Sequence, residues 1–355
     1  MFIDSRNAKN VPDSIDPILL TKQLVDIEST TYHEGPVGEF LAAYLQGRGW
    51  NVERQPVAQP DPVRTPGCGT GDRFNVYATL SPSPAIVFST HMDTVPPFLG
   101  PCREDETHLY GRGVCDAKGI IASQVAAAEH LRAEGITVGL LFLVGEERDS
   151  AGAAEANRHP RGSRFLINGE PTDNRLALAS KGALRVELRA HGKMAHSAYP
   201  ELGESAIDKL LAALHDVQAL PLPIVEGIGD STMNVGLISG GRAPNVIADG
   251  AEAHILVRLV GPAVPIRDAI VHAVAGRCEV EFSLELPFVQ MRALPGFDTM
   301  VAKFTTDIPS LTNWGEPFLL GPGSIHTAHT PDERIAKSEI LEAVKLYVRL
   351  VRELQ

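Results

Sequence analysis

Apolar and polar residues follow two textures along this chain, and the change falls near Leu176. Before it, apolar positions recur at helical spacing across 15–50, first in Ile15-Asp-Pro-Ile-Leu-Leu and then from Val37 to Leu45. A Pro/Gly-rich loop from Gln59 to Gly71 follows. Short apolar runs at Asn75–Thr79 and Ala85–Thr90 read as strands. A helix is predicted over Ile120–Ala133, stopped by Gly135. Val138–Val144 is continuously apolar, as a strand buried on both faces must be. Strands alternating with helices predict an α/β sandwich.

Beyond Leu176 the pattern changes. Leu184-Arg-Val-Glu-Leu-Arg-Ala alternates strictly, which marks a half-buried strand. A helix over Glu204–Leu220 comes next, then strands at Asn234–Leu237 and Ala251–Val260. A helix at Ile266–Ala275 and a last alternating run at Glu279–Leu286 complete the series. The order β-α-β-β-α-β is that of the ferredoxin-like split unit. The expected organisation is therefore a larger domain, 1–177 and 288–355, interrupted by a smaller one, 178–287. After Pro287 a helix, a Gly-rich loop at Gly321-Pro-Gly and a final helix over Lys337–Glu353 are expected. No internal repeat is visible.

Composition narrows the function. With 355 residues the chain can bury a large core, and 44% hydrophobic with 21% charged residues is ordinary for a globular protein. A net charge of −12 leaves no basic face for phosphates, which argues against a nucleic-acid partner. The opening MFIDSRNAKNVPD lacks the apolar core of a signal peptide, and no apolar run is long enough for a membrane span. Cys68, Cys102, Cys115 and Cys278 are scattered without a CxxC pair, so neither a disulfide framework nor a thiolate metal site is expected. A reducing cytoplasm fits these features.

Five segments concentrate metal-ligand residue types. In Ser89-Thr-His91-Met-Asp93, the His and Asp stand two apart, so in a strand they face the same way, and a carboxylate can orient an imidazole ligand. Alone, the pair would also pass for a surface His beside a turn Asp. Gly111-Arg-Gly-Val-Cys-Asp116-Ala-Lys-Gly119 puts an Asp between glycines just before a helix, where a plain N-cap is the simpler reading. Gly145-Glu146-Glu147 places adjacent carboxylates at the end of a buried strand. They repel each other and are costly to desolvate, and a cation resolves both costs. Asn168-Gly-Glu170-Pro171 follows another strand. Gly321-Pro-Gly-Ser-Ile-His326-Thr-Ala-His329-Thr-Pro-Asp-Glu333 closes the series.

Together the motifs HMDTVP, GRGVCDAKG, GEE, GEP and AHTPDE, in this order and spacing, resemble the M20 metallopeptidases over nearly the whole chain. That family includes acetylornithine deacetylase, succinyl-diaminopimelate desuccinylase, aminoacylase and carboxypeptidase G2. The resemblance implies a zinc-dependent exopeptidase-type α/β catalytic domain, its mostly parallel sheet between helices, with an inserted ferredoxin-like lid and dimerisation domain. It implies His91, Asp116, Glu147, Glu170 and His329 as ligands of two zinc ions, with Asp116 bridging and cobalt or manganese as possible substitutes. His329 rather than His326 is expected, because the family's ligand is the one in Ala-His. Glu146 is the implied general base, Asp93 the residue orienting His91, and the Asp116–Ala117 bond is implied to be cis.

In the smaller domain, Lys193-Met-Ala-His196 carries the His that in the family polarises the scissile carbonyl in the other subunit, so a homodimer is expected. Asn245 and Arg258 match the positions that help near the carbonyl and hold the substrate carboxylate; a guanidinium fork suits that anion. The expected activity is amide hydrolysis of an N-acyl amino acid, acetylornithine deacetylase-like, by a metal-bridging hydroxide. A dipeptidase or carboxypeptidase is the alternative, and a non-catalytic amino-acid or peptide-binding relative a remote third. Cys115 and Ala117 depart from the commonest family pattern around Asp116.

Overall fold

The computed structural model describes residues 15–355 except 64, 66 and 70. The N-terminal segment read above for a leader, residues 1–13, lies outside the described residues. The chain divides into two compact units. The first holds the described residues up to Ala177 together with Met291–Met300 and Thr306–Gln355; the second holds Leu178–Gln290 and Val301–Thr305. The expected boundary at Pro287 thus moves to Gln290, because Val289 and Gln290 pair antiparallel with Ser180 and Ala179. The chain also returns briefly at 301–305, where Lys181 N donates to Ala302 O at 2.9 Å.

The first unit is built on a six-stranded sheet in the spatial order Asn51–Val57, Arg73–Thr79, Gly139–Leu143, Ile86–His91, Phe165–Asn168, Glu316–Leu319. The first two pairings are antiparallel and the rest parallel. Side-chain alternation explains the continuous apolar runs. Phe88, Leu140, Phe142, Ile167 and Phe318 enter one core with the helices Pro17–Val25, Gly35–Gly47, Lys118–Ala133 and Lys337–Glu353. Val87, Leu141, Leu143 and Leu166 enter another with Ala153, Ala156 and Trp314. Both faces are covered, so no polar position is tolerated within Gly139–Leu143. Asp16 starts the first helix, its Oδ1 accepting from Ile18 N at 2.9 Å and Leu19 N at 3.2 Å, with Pro17 in the first turn.

One element was missed in the sequence and one expectation needs correction. The edge strand Asn51–Val57 was not anticipated: its Glu53, Arg54 and Gln55 break any apolar alternation, and Pro56 is tolerated because this is an edge. The helix expected after Pro287 is not formed. That stretch has the short strand Thr299–Ala302 and a single 3₁₀ turn at Ile308–Ser310, held by pairing that local apolar spacing does not encode.

The second unit has the sheet order Thr232–Gly240, Gly250–Leu259, Gly182–His191, Glu279–Leu286, all antiparallel. The helices Ala206–Gln218 and Val264–Val274 share its core with Leu184, Val186, Leu188, Ile255 and Val257. The other face is wet, with Arg189 bonded to Glu187 and Glu281. Among the described residues no helix is long and apolar enough to cross a membrane.

Candidate metal centre

In a parallel sheet the carboxyl ends of the strands form the natural binding edge. His91 is the last residue of Ile86–His91; Glu146 and Glu147 follow Gly139–Leu143, and Glu170 follows Phe165–Asn168. The strand ends at His91, so Asp93 lies just beyond it, between Met92, whose N donates to Leu143 O at 2.7 Å, and Thr94, which bridges to Thr30. Gly145 makes the turn into the two glutamates possible. Its φ is +82°, and a Cβ there would stand 2.4 Å from Arg73 Nη2.

Asp116 is the centre of the arrangement. Its Oδ1 lies 3.0 Å from His91 Nε2 and its Oδ2 lies 3.3 Å from His329 Nε2. Two ligand-type triads therefore share it, His91–Asp116–Glu170 and Asp116–Glu147–His329, the donor atoms in each lying within 4.8 Å of one another. His91, Glu146 and Glu147 make a third such group. His329 Nε2 also lies 2.9 Å from Glu147 Oε1, and His91 Nε2 lies 3.9 Å from Glu170 Oε2. His326 takes no part in these groups. The Asp116–Ala117 peptide is cis.

The surroundings orient these groups. His91 Nδ1 lies 2.9 Å from the backbone carbonyl of Asp93 and only 3.6 Å from its Oδ1, so the carbonyl is the closer partner of the ring. The Asp93 carboxylate does other work. Its Oδ1 accepts from Glu146 N at 3.1 Å, and its Oδ2 accepts from Glu147 N at 3.2 Å and from Thr31 Oγ1 at 2.8 Å. Thr31 had no motif to announce it. Glu333, quoted above only as part of a motif, accepts hydrogen bonds from the loop that carries Asp116.

Electrostatics fit a cation pair. Burial pushes Glu146 and Glu170 well above the usual carboxylate range; the charge of Glu170 adds to this at Glu146, while the His91 ring opposes it at Glu170. Burial would pull His91 down, but hydrogen bonds to Asp116 and Asp93 outweigh it and hold the ring protonated. His329 is pushed up to about 10 by Asp116 and Glu147. Protons on two imidazoles thus supply positive charge where acidic oxygens converge, and Glu170 Oε1 is buried with no partner. Divalent cations held by these nitrogens and oxygens would displace those protons and occupy that oxygen. The donor set suits zinc.

The second unit carries the other three residues. His196 and Asn245 are exposed in adjoining turns, joined by a Ser197 N to Asn245 O bond of 3.0 Å. Arg258 is half-buried on Gly250–Leu259, paired with Thr232 and Ala183. It makes no ion pair or side-chain hydrogen bond among the described residues. His196 pairs with Val246, just before that strand, whereas Arg258 lies near its far end. At about 3.4 Å per residue the separation is roughly 27 Å along the strand, so one copy of the unit does not bring Arg258 together with His196 and Asn245.

Comparisons with known proteins agree with this chemistry. The model of "Peptidase family M20/M25/M40" matches residues 87–353. A peptidase M20 domain-containing protein of Schizosaccharomyces pombe is 37% identical over 356 residues, covering 96% of this chain and 85% of the relative. A probable carboxypeptidase of Paracoccidioides brasiliensis is 37% identical over 386 residues, covering 97% and 86%. Among solved structures, a tripeptidase from Staphylococcus aureus superposes with a TM-score of 0.76 at 20% identity, covering 96% of this chain and all of the other.

Proposed function

Because this chain belongs to peptidase family M20/M25/M40 and is a metal-dependent hydrolase, we propose that it cleaves an amide bond beside a free carboxylate, in the first instance that of an N-acyl amino acid. The observation that carries this reading is the sharing of Asp116 between two ligand triads. Release of a C-terminal amino acid from a short peptide is the second reading, favoured by the carboxypeptidase name of the P. brasiliensis relative.

His91, Asp116 and Glu170 would hold one ion and Asp116, Glu147 and His329 the other, with zinc the proposed metal and cobalt or manganese as substitutes. Bound there, divalent cations supply Lewis acidity, which lowers the pKa of a water and polarises a carbonyl. Glu146, half-buried beside His91 and Glu147, takes the proton of the attacking water and returns it to the leaving nitrogen. Asp93 keeps Glu146 aimed by holding the amides of both glutamates. The unpartnered Arg258 fork binds the substrate carboxylate. His196, with Asn245, steadies the carbonyl oxygen from the second copy in a homodimer. Two observations support the dimer: the separation of these groups from Arg258 along one strand, and the edge strand Thr232–Gly240 with Leu237 65% and Ile238 56% exposed. The four free cysteines fit a reducing cytoplasm.

The test is metal analysis plus a substrate panel: acetylornithine, acetylcitrulline and succinyl-diaminopimelate beside simple dipeptides. Two ions per chain and hydrolysis of the acylated amino acids support the first reading; turnover of dipeptides alone moves the protein to the second. A chain that binds no divalent ion sinks both.

A further inference from the structure

The loop that delivers Asp116 has an unusual anchor. Glu333 is 1% exposed, and one of its oxygens, Oε1, accepts from the backbone amides of Gly113 at 2.9 Å, Cys115 at 3.2 Å and Asp116 at 3.2 Å. The other, Oε2, accepts from Arg112 Nη1 at 2.6 Å. Its backbone carbonyl accepts from Gly111 N at 3.1 Å. Converging amides of this kind form an anion-binding nest, and Gly111 and Gly113 shape it with φ of +150° and +89°. The grip extends back toward His329: Arg112 Nη1 also donates to Thr330 O at 3.3 Å. His329 itself sits at a positive φ of 63°, a conformation that a non-glycine residue keeps only where its surroundings impose it.

Resting on the metal reading above, we propose that Glu333, braced by Arg112, is a positioning residue that fixes the Asp116 carboxylate against His329 and so sets the geometry of the Asp116–Glu147–His329 triad. The two loops that meet at this triad are 217 residues apart in sequence between Asp116 and Glu333. Glu147 comes from a third element and is held separately by Asp93. Glu333 touches no ligand atom; it acts through the amide of Asp116 itself, one bond from that residue's Cα. The other triad shares Asp116 but takes its remaining ligands, His91 and Glu170, from the ends of sheet strands, whereas His329 sits four residues before Glu333 on the very loop that grips Asp116. Loss of Glu333 therefore disturbs the two triads unequally.

Glu333→Gln tests this at nearly constant volume. A single orientation of the amide cannot serve both the nest and Arg112, since its NH₂ must face one set of donors. Metal affinity is read for each ion by equilibrium dialysis with zinc, alongside the visible spectrum of the cobalt-loaded protein. Outer-shell partners of metal ligands typically contribute 10–100-fold in affinity, and a weakening of about that size is expected for the ion of the Asp116–Glu147–His329 triad, with a smaller loss at the other ion, which shares only Asp116. The cobalt spectrum should shift, and kcat should fall with KM nearly constant. Arg112→Gln, which leaves the nest carboxylate in place, should move the same quantities in the same direction by less; it also serves as the readout if Glu333→Gln does not fold. Wild-type affinities for both ions with an unchanged cobalt spectrum would overturn the proposal. So would equal weakening of both ions in step with a lower melting temperature, which is what a merely structural role predicts. A wild-type protein that binds no metal defeats the metal reading instead, and the two failures are distinguished.

Discussion

The two units hold their chemistry-bearing residues in opposite ways. In the first, Asp93 and Glu333 each gather backbone amides around a buried carboxylate, and the ligand-type residues at their tips are themselves within hydrogen-bond reach of one another. In the second, His196 and Asn245 stand exposed on turns, and the Arg258 guanidinium has no partner among the described residues. A group already satisfied by its own fold is preorganised for a fixed task, here holding ions and moving one proton. A cation left half-desolvated without an anion carries a cost that only a ligand removes. On the proposed reading the first unit is complete before substrate arrives and the second waits for it.

That contrast can be broken at either end, and the largest effect is expected in the first unit. Glu146→Gln removes the proton carrier and leaves the shared Asp116 triads intact. It should lower kcat by roughly 10³-fold or more with metal content unchanged. Near-normal turnover would show that another group moves the proton. The middle effect probes the second unit. His196→Ala should cost about 10²–10³-fold, the usual loss for one oxyanion donor. Co-expression of Glu146→Gln with His196→Ala then decides which copy His196 serves. If it serves the partner, mixed dimers each carry one intact site, so about a quarter of all sites recover activity in a random mixture. Mixed dimers with no recovery would make the His196 contribution internal to one chain and remove the argument for an obligate pair.

The sequence exposes these two kinds of region unequally. Half-buried strands announce themselves by alternation, so Gly182–His191 and Glu279–Leu286 were legible from Leu184, Val186 and Leu188 or from Val280 and Phe282 alone. The doubly buried Gly139–Leu143 was legible for the opposite reason. Asn51–Val57 was not, because an edge strand with a solvated face needs little apolar content. The site's residue types stood out at strand ends as His, Asp and Glu. Its supports did not, because Thr31 and Glu333 act on backbone amides, which look the same in every residue. Asp93 shows the limit most clearly. Its spacing from His91 suggested a carboxylate set against the ring, yet that carboxylate holds the Glu146 and Glu147 amides, and its backbone carbonyl meets the ring.

The smallest expected effect concerns a group that no motif marked. Asp307 is buried beside Ile308–Ser310, and neither of its oxygens is met at full hydrogen-bond geometry, the Ser150 side chain being its nearest donor. Burial pushes its carboxyl up to about 7, with the Ser150 side chain and then His91 pulling it back and Asp93 and Asp149 adding to the rise. The folded protein then holds a proton that the unfolded chain releases near pH 4, so between these values the native state binds more protons. Stability from this group is therefore full below about pH 4 and is lost as pH rises through 7. Asp307→Asn fixes the neutral form. In the metal-free protein, where ion binding does not mask the effect, the variant's melting temperature relative to wild type should be higher at pH 8 than at pH 5 by roughly 2–4 °C. The second unit's acidic groups sit at the surface in ion pairs such as Arg189–Glu281 and Arg277–Asp216, and a change at Glu281 should leave the same profile flat. Parallel melting curves for Asp307→Asn and wild type across this range would mean that Asp307 is ionised in the fold, and that the first unit satisfies its buried carboxylates as completely as the second does at its surface.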